Sequence, residues 1–215
     1  MMSGRPRLAV LGSREWYCAD ARSFAGEAGR ALARQFARLE LVTNAMDAVQ
    51  REVAEAFVEE AMVLGRAKPD ELSVCLITPS DVPGAVAGKL LAAGSYVVVR
   101  VVAGSTHAEA RRALADAADA CLLISGGPGS AAIAEHVHGN GRPVLCVPAT
   151  GGAAAGSFWL PASLRQMPSW LSVHPSGIEV WRALSGPFRS KNEVVAAAEA
   201  AAKALQQALQ FSAKL

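Results

Sequence analysis

The 215-residue chain has little of what marks several specialised protein classes. Its four cysteines form no Cys-x-x-Cys pair, so neither a zinc ribbon nor a disulfide framework is indicated, and we expect free thiols in a reducing compartment. The net charge is only +2, so no strong field would attract nucleic acid or acidic lipid. No apolar run approaches the roughly 20 residues that a membrane helix needs. We therefore expect a cytoplasmic protein that binds neither nucleic acid nor membrane.

Apolar residues are abundant, at 52% of the chain, which is enough for a core on both faces of a sheet. Short apolar runs alternate with helical patterns through most of the sequence. Strands are predicted at 7–11, 39–43, 72–78, 96–103, 121–124 and 143–147, and helices at about 19–38, from 44 onward, at 107–118, and from about 130. This alternation predicts an α/β fold: a Rossmann-like, doubly wound, mainly parallel sheet with helices on both faces.

We expect one domain over residues 1–215, with its core at about 7–150. The stretch 150–157 is rich in small residues, and we expect a flexible loop there that closes over a ligand or serves as a linker. Residues 151–190 interleave Trp, Phe and Pro, which predicts an irregular segment. A final helix at about 192–211, capped by Asn192, carries a narrow apolar stripe that covers the sheet edge or forms a dimer seam.

The strongest functional signal lies between Asp119 and Glu135. The apolar run 121–124 breaks into Ser-Gly-Gly-Pro-Gly-Ser, and an alanine-rich helical pattern follows. Glycines let a ligand approach the backbone, and the first turn of a helix presents unpaired N–H groups. The stretch therefore predicts an anion cradle, usually for phosphate, or else a turn whose glycines serve geometry alone. The cradle residues would be Gly126, Gly127, Gly129 and Ser130.

A second turn of this kind follows the first predicted strand. Gly12 and Ser13 would lie at its carboxyl end, where open α/β sheets bind ligands. Arg14 could contact a phosphate or could be an ordinary solvated arginine. Trp16 and Tyr17 could stack on a ring of the ligand or cover the end of the sheet.

The helix expected from Asn44 has an apolar face that packs on the sheet. Asp47 and Gln50 fall on its other, polar face. Two histidines, His136 and His138, do not share a helix face, and no companion residue has ligand spacing, so we expect no metal. No pattern in the chain indicates a cofactor.

The motif Asp-Ala-x5-Gly-Gly-x-Gly-Ser at 119–130, followed by Gly-Arg-Pro-Val at 141–144, resembles a known family. It is similar to the lonely-guy (LOG) or lysine-decarboxylase-like family and to the related molybdenum-cofactor carrier proteins. The resemblance extends over about residues 7–150. It implies an SLOG-type Rossmann-like fold, a small phosphorylated ligand and a homodimer.

The catalytic residues of LOG enzymes are displaced or absent in this chain. The family's arginine position falls on Ala110, so either the helix shifts by one residue to use Arg111 or the arginine is missing. The family's glutamate position falls on Ile133, and the nearest acid is Glu135, about 200° further round the helix. The resemblance thus leaves Arg111 and Glu135 as displaced catalytic candidates.

Two functions remain open at this point. The first, which we favour, is a LOG-related protein that binds a nucleotide or a molybdenum-cofactor-like ligand without hydrolysing it. The second is a LOG-type phosphoribohydrolase that releases a free base and ribose 5-phosphate from a nucleoside 5′-monophosphate. The two differ in whether an acid and an arginine meet at the ligand.

Overall fold

A computed structural model describes residues 5–44, 47–68, 70–79, 97–102 and 106–212. Within these residues six parallel strands form one sheet in the order β4-β3-β2-β1-β5-β6. The strands are β1 (Arg7–Leu11), β2 (Leu39–Thr43), β3 (Leu72–Pro79), β4 (Val97–Val102), β5 (Ala120–Ile124) and β6 (Val144–Val147). The predicted α/β, doubly wound class is confirmed. Residues 96 and 103, the ends of the fourth predicted strand, lie outside the described residues.

The described helices include those that the sequence predicted and two more, within residues 151–190, that it did not. They are α1 (Ala21–Gln35), α2 (Ala48–Val63), α3 (His107–Ala117), α4 (Pro128–Gly139), α5 (Ser169–Ser172), α6 (Gly177–Ser185) and α7 (Lys191–Ser212). A capping box starts α3, where Thr106 Oγ1 accepts from the Glu109 N–H and Glu109 accepts from the Thr106 N–H.

Each face of the sheet carries its own core because successive side chains of a strand point in opposite directions. In β1, Leu8 and Val10 join the core formed with α1, α2 and α7. Ala9 and Leu11 join the opposite core, formed with α3 and α4. Strands β1, β2, β3, β5 and β6 are buried on both faces, which explains why their sequences are almost continuously apolar.

The helix predicted from Asn44 begins later than the sequence suggested. Asp47 has an extended backbone and is the N-cap, so α2 starts at Ala48. The start of this helix packs closely against the end of β1. A Cβ placed on Gly12 would lie 2.3 Å from Val49 Cβ, so only glycine permits this approach. The first turn of α2 is thereby held beside the β1 loop.

The C-terminal third is more regular than we expected. Residues 148–150 and 152–155 form two 3₁₀ turns, and Ala153 and Ala154 are buried, so the expectation of a flexible loop or linker was wrong. Helix α6 lies within the segment expected to be irregular.

The cap predicted for the last helix was also wrong. Ser190, not Asn192, caps α7, since its Oγ accepts from the Glu193 N–H at 3.2 Å. The apolar stripe of α7 packs within the chain rather than along a sheet edge. It joins the core that contains α1, and the Gln35 and Gln206 side chains join the two helices at 2.7 Å.

The strand order creates the feature that positions the functional site. The chain leaves β4 at one edge of the sheet and returns in β5, on the far side of β1. Connections on the two sides of this switch point diverge, which leaves a crevice outside the carboxyl ends of β1 and β5.

Candidate functional site

A cavity of about 330 Å³ lies at the switch point, outside the carboxyl ends of β1 and β5. Its walls are the loop that follows β1, the first turn of α2, the first turns of α3 and the start of α4. The two glycine-containing turns that the sequence singled out therefore meet in one place.

Most of the predicted ligand-binding residues line this cavity. They are Gly12, Ser13, Arg14, Gly127, Gly129 and Ser130. Gly126 is not among the lining residues. Its φ of +92° and its contact with Leu123, whose Cδ1 would lie 2.8 Å from an added Cβ, give it a role in the geometry of the turn.

The structural reason for a glycine differs among the glycines that line the cavity. Gly12 makes room for Val49, as described above. A Cβ on Gly129 would lie 3.0 Å from both Nε and Cζ of Arg111, so Gly129 makes room for that guanidinium. A Cβ on Gly127 would meet nothing within 4 Å, and its φ of −106° is open to any residue. Among the described residues no neighbour requires a glycine at Gly127, which lines the cavity.

The backbone of this turn presents hydrogen-bond donors to the cavity. Gly127 is the N-cap of α4 and Pro128 occupies the first helical position, where the missing N–H is harmless. The first backbone bond of the helix runs from the Ala131 N–H to the Gly127 carbonyl at 3.0 Å. The N–H groups of Gly129 and Ser130 precede it and therefore have no acceptor within the helix. Such a helix start favours an anion.

Buried hydrogen bonds hold the turn in place. Ser125 has a φ of +54°, which is uncommon for a residue with a Cβ. Its N–H donates to Thr150 Oγ1 at 2.7 Å, and its Oγ donates to the Thr150 carbonyl at 2.6 Å. Thr150 Oγ1 in turn donates to the Val147 carbonyl at 2.7 Å. The sequence analysis missed Thr150, because only the fold brings it to the turn after β5.

The 3₁₀ turn behind the glycines adds further support. The Ala153 N–H donates to the Gly126 carbonyl and the Ala154 N–H to the Ser125 carbonyl, each at 2.8 Å. On the other side, Ser130 Oγ donates to the Gly12 carbonyl and joins the two ligand-facing turns. Ser130 therefore contributes its backbone to the cavity while its hydroxyl proton is already engaged.

Of the two catalytic candidates, the structure brings only Arg111 to the cavity. Glu135 is exposed on α4 and is not among the lining residues, whereas Ile133 is. The structure thus places an apolar side chain where the resemblance called for a carboxylate, as residue counting along α4 had indicated.

Asp47, which the sequence analysis placed on a polar helix face, is the more buried of the two acids that line the cavity. Asp47 Oδ1 lies 3.6 Å from Arg14 Nε, and the Asp47 side chain is only 20% exposed. Burial raises the pKa of Asp47 above its ordinary value, while Arg14 and Arg111 act in the opposite direction. Because Arg14 is 78% exposed, the ion pair itself is weak.

Gln50, one turn further along α2, was assigned to the same polar face and is in fact 1% exposed. It also lines the cavity. The positions of Asp47 and Gln50 in the sequence could have indicated this, because both lie at the start of the helix that follows β2. Strand β2 is the neighbour of β1, at whose carboxyl end the switch point lies.

The histidines singled out in the sequence lie away from this cavity. His136 Nε2 contacts Asp116 Oδ1 at 2.8 Å on the surface. In the described ranges no three His, Cys, Asp or Glu side chains are grouped as a metal site would require. Nor does any helix in those ranges combine the length and apolar character needed to cross a membrane.

No family model matches the chain, and no curated protein matches its sequence. Solved structures do match. The protein TM1055 is 22% identical over 69% of this chain and 78% of its own, with a TM-score of 0.53. The Moco carrier protein from Chlamydomonas reinhardtii is 16% identical over 99% of this chain and 100% of its own, with a TM-score of 0.52. The molybdenum cofactor binding protein from Rippkaea orientalis is 15% identical over 66% of this chain and 76% of its own, with a TM-score of 0.50.

At such identities the matches show a shared fold. The chain has the fold of the molybdenum-cofactor carrier proteins to which its glycine-rich motif is similar, so the fold that the resemblance implied is confirmed. The homodimer and the cytoplasmic location remain predictions.

We predict that Asp47→Asn raises the unfolding temperature at neutral pH, because it removes a charge that is costly to bury. The pKa of the Asp47 carboxyl is raised above the ordinary 3.8 in the folded protein, so the ionised carboxylate lowers the free energy of unfolding at a pH above the folded pKa. Below 3.8 the carboxyl is protonated in both the folded and the unfolded state, and this loss of stability disappears. The advantage of the variant should therefore shrink as the pH falls toward 3.8. Thermal unfolding from neutral to acidic pH measures it, and Glu15→Gln, an exposed acid of the same cavity, controls for net charge. A wild type that is more stable than the variant at neutral pH would contradict this account.

Proposed function

We propose that this protein binds a small phosphorylated ligand, a nucleotide or a molybdenum-cofactor-like pterin, at the switch point and does not hydrolyse it. The observation that carries the proposal is Gly127. It caps a helix whose first N–H groups are unpaired, and the space where its side chain would lie is open cavity. A glycine with no role in packing or backbone conformation is expected where a ligand must approach the main chain.

The phosphate would lie between the start of α4 and Arg111. The backbone N–H groups of Gly129 and Ser130 supply donors and the partial positive charge of the helix end. Arg111 lies against Gly129 and supplies a full positive charge with planar donors that suit a phosphate. Arg14, on the other side of the cavity, is exposed and free to turn toward the ligand.

The remaining volume suits a ligand of modest size. About 330 Å³ is at the lower end of the range for small-molecule sites. The names of two matched proteins, a Moco carrier and a molybdenum cofactor binding protein, support a pterin as one option. That support rests on shared fold, which is a weak argument for function.

The absence of hydrolysis is proposed from the chemistry of the α4 wall. Cleaving a glycosidic bond needs a carboxylate to stabilise the developing cation or to activate water. Ile133 can do neither, and Glu135 lies outside the cavity lining. A bound phosphate ligand would therefore be retained intact.

One observation favours the hydrolase as a second candidate. The Asp47 carboxylate lies in the same cavity as Arg111, although it comes from α2 rather than α4. A partly buried acid with a raised pKa is a recognised feature of general acids. If the chain is an enzyme, we expect Asp47 to be the acid.

We predict that Gly127→Val weakens the binding of adenosine monophosphate or inorganic phosphate at least about tenfold, because the side chain would occupy the anion position. Its cost to stability should be small, about 0.5–1 kcal/mol from the poorer helix cap. Isothermal titration calorimetry with thermal unfolding tests both. Gly139→Val is the matched control, since it lies at the other end of α4 and its Cβ also meets nothing within 4 Å. Equal affinity of the Gly127 variant and the wild type would exclude the cradle.

We also predict that adenosine monophosphate and its N6-substituted analogue release no free base or ribose 5-phosphate on incubation with the protein. Chromatography of the mixture measures this. Release that disappears in both Asp47→Asn and Arg111→Ala, and persists in Glu135→Ala, would instead establish the hydrolase with Asp47 as its acid.

A further inference from the structure

Gln50 combines three properties that do not fit an ordinary helix residue. Its side chain lines the switch-point cavity, the residue is 1% exposed, and its Oε1 has no hydrogen-bond partner in the described part of the structure. A buried polar atom without a partner is costly, and most such atoms in folded proteins are paired. An apolar side chain would be cheaper at this position, so the amide needs an explanation.

A capping role does not provide one. Gln50 is the third residue of α2, where a Glu or Gln commonly accepts a hydrogen bond from the N–H at the start of the helix. Two other helices of this protein use that device. Glu109 accepts from the Thr106 N–H at 2.8 Å, and Glu193 accepts from the Arg189 N–H at 2.7 Å. Gln50 occupies the equivalent position in α2, yet its Oε1 makes no such bond.

We infer that Gln50 Oε1 accepts a hydrogen bond from the bound ligand, so that the ligand is a phosphorylated molecule carrying an N–H or O–H donor on the side next to α2. The phosphate part of this inference rests on the proposed function. The donor part rests on Gln50 alone.

The two sides of the cavity are suited to such a ligand. The start of α4 and Arg111 present donors and positive charge, which suit the phosphate. The first turn of α2 contributes the Asp47 and Gln50 side chains to the cavity wall, and Gln50 Oε1 is a buried acceptor without a partner among the described residues. Sugar hydroxyls and the amino or ring N–H groups of a base or pterin are donors of the required kind. A phosphate ester with a purely apolar remainder would leave Gln50 Oε1 without a donor and should bind poorly.

The first test needs no ligand. Gln50→Met keeps the side-chain size and removes the unpartnered oxygen, so the melting temperature of the free protein should rise by about 2–4 °C. Gln207→Met is the matched control, because Gln207 on α7 also has a buried Oε1 without a partner but is not among the cavity-lining residues. A fall in the melting temperature of Gln50→Met would show that Gln50 supports the fold, and would overturn the inference.

The second test compares phosphate esters with and without donors by titration calorimetry. Gln50→Met should weaken the binding of adenosine monophosphate by roughly 5–30-fold. It should change the affinity for methyl phosphate by less than about twofold, because that ester has no donor on its organic part. Gln207→Met should change neither affinity. An equal loss for both esters, or no loss for either, would overturn the inference.

A third ligand identifies the donor. If the ribose hydroxyls donate to Gln50, wild type should bind 2′,3′-dideoxyadenosine monophosphate as weakly as Gln50→Met binds adenosine monophosphate. If the base donates, the dideoxy compound should bind wild type normally and lose affinity in Gln50→Met. Wild type that binds none of these esters would contradict the proposed phosphate function, whereas wild type that binds both esters with no loss of affinity in Gln50→Met would overturn the Gln50 inference alone.

Discussion

The hydrogen bonds between Ser125 and Thr150 are the constraint on which the site depends. They hold a residue with a Cβ in a left-handed conformation at the end of β5, and both partners are fully buried. Because Ser125 turns the chain at this point, helix α4 starts at the switch point, and the residues of its first turn, whose N–H groups have no acceptor within the helix, line the cavity. The glycines that follow matter only because this turn places them there. A strained backbone held by surrounding structure is typical of functional sites, and here the surrounding structure is the 3₁₀ segment after β6.

Glycines that look alike in the sequence have separate roles in the folded protein. Gly12 admits Val49, Gly126 adopts a positive φ, and Gly129 admits the Arg111 guanidinium. Of the four glycines in the two turns, Gly127 alone has neither a positive φ nor a described neighbour that its Cβ would meet. The sequence analysis could not separate these cases, since each depends on a neighbour contributed by another element. The motif therefore pointed to the residues that line the cavity, while the structure shows which of its glycines has no packing role among the described residues.

The strands and their parallel arrangement could be predicted because a strand that is buried on both faces has a short apolar run as its sequence. The capping box at Thr106 is equally local, because its two partners stand three residues apart in the sequence. The features that the sequence analysis missed depend on contacts between segments that are distant in the sequence. Asp47 and Gln50 look like solvent-facing residues of an amphipathic helix, and only the approach of α2 to β1 turns them into a cavity wall. Thr150 and helix α6 lie in a segment rich in small residues, Trp and Pro, where composition carries little information about packing.

We propose a phosphate cradle at the start of α4, beside which the structure places a carboxylate from α2 instead of α4. The central claim is that the start of α4 binds the phosphate. The most direct test is to add inorganic phosphate to ¹⁵N-labelled protein and follow the amide resonances by NMR. Our account predicts that the amides of Gly129 and Ser130 shift first and saturate together, while that of Gly139, at the other end of the same helix, stays unchanged. Shifts that are absent from the start of α4, or that centre on another part of the protein, would contradict it.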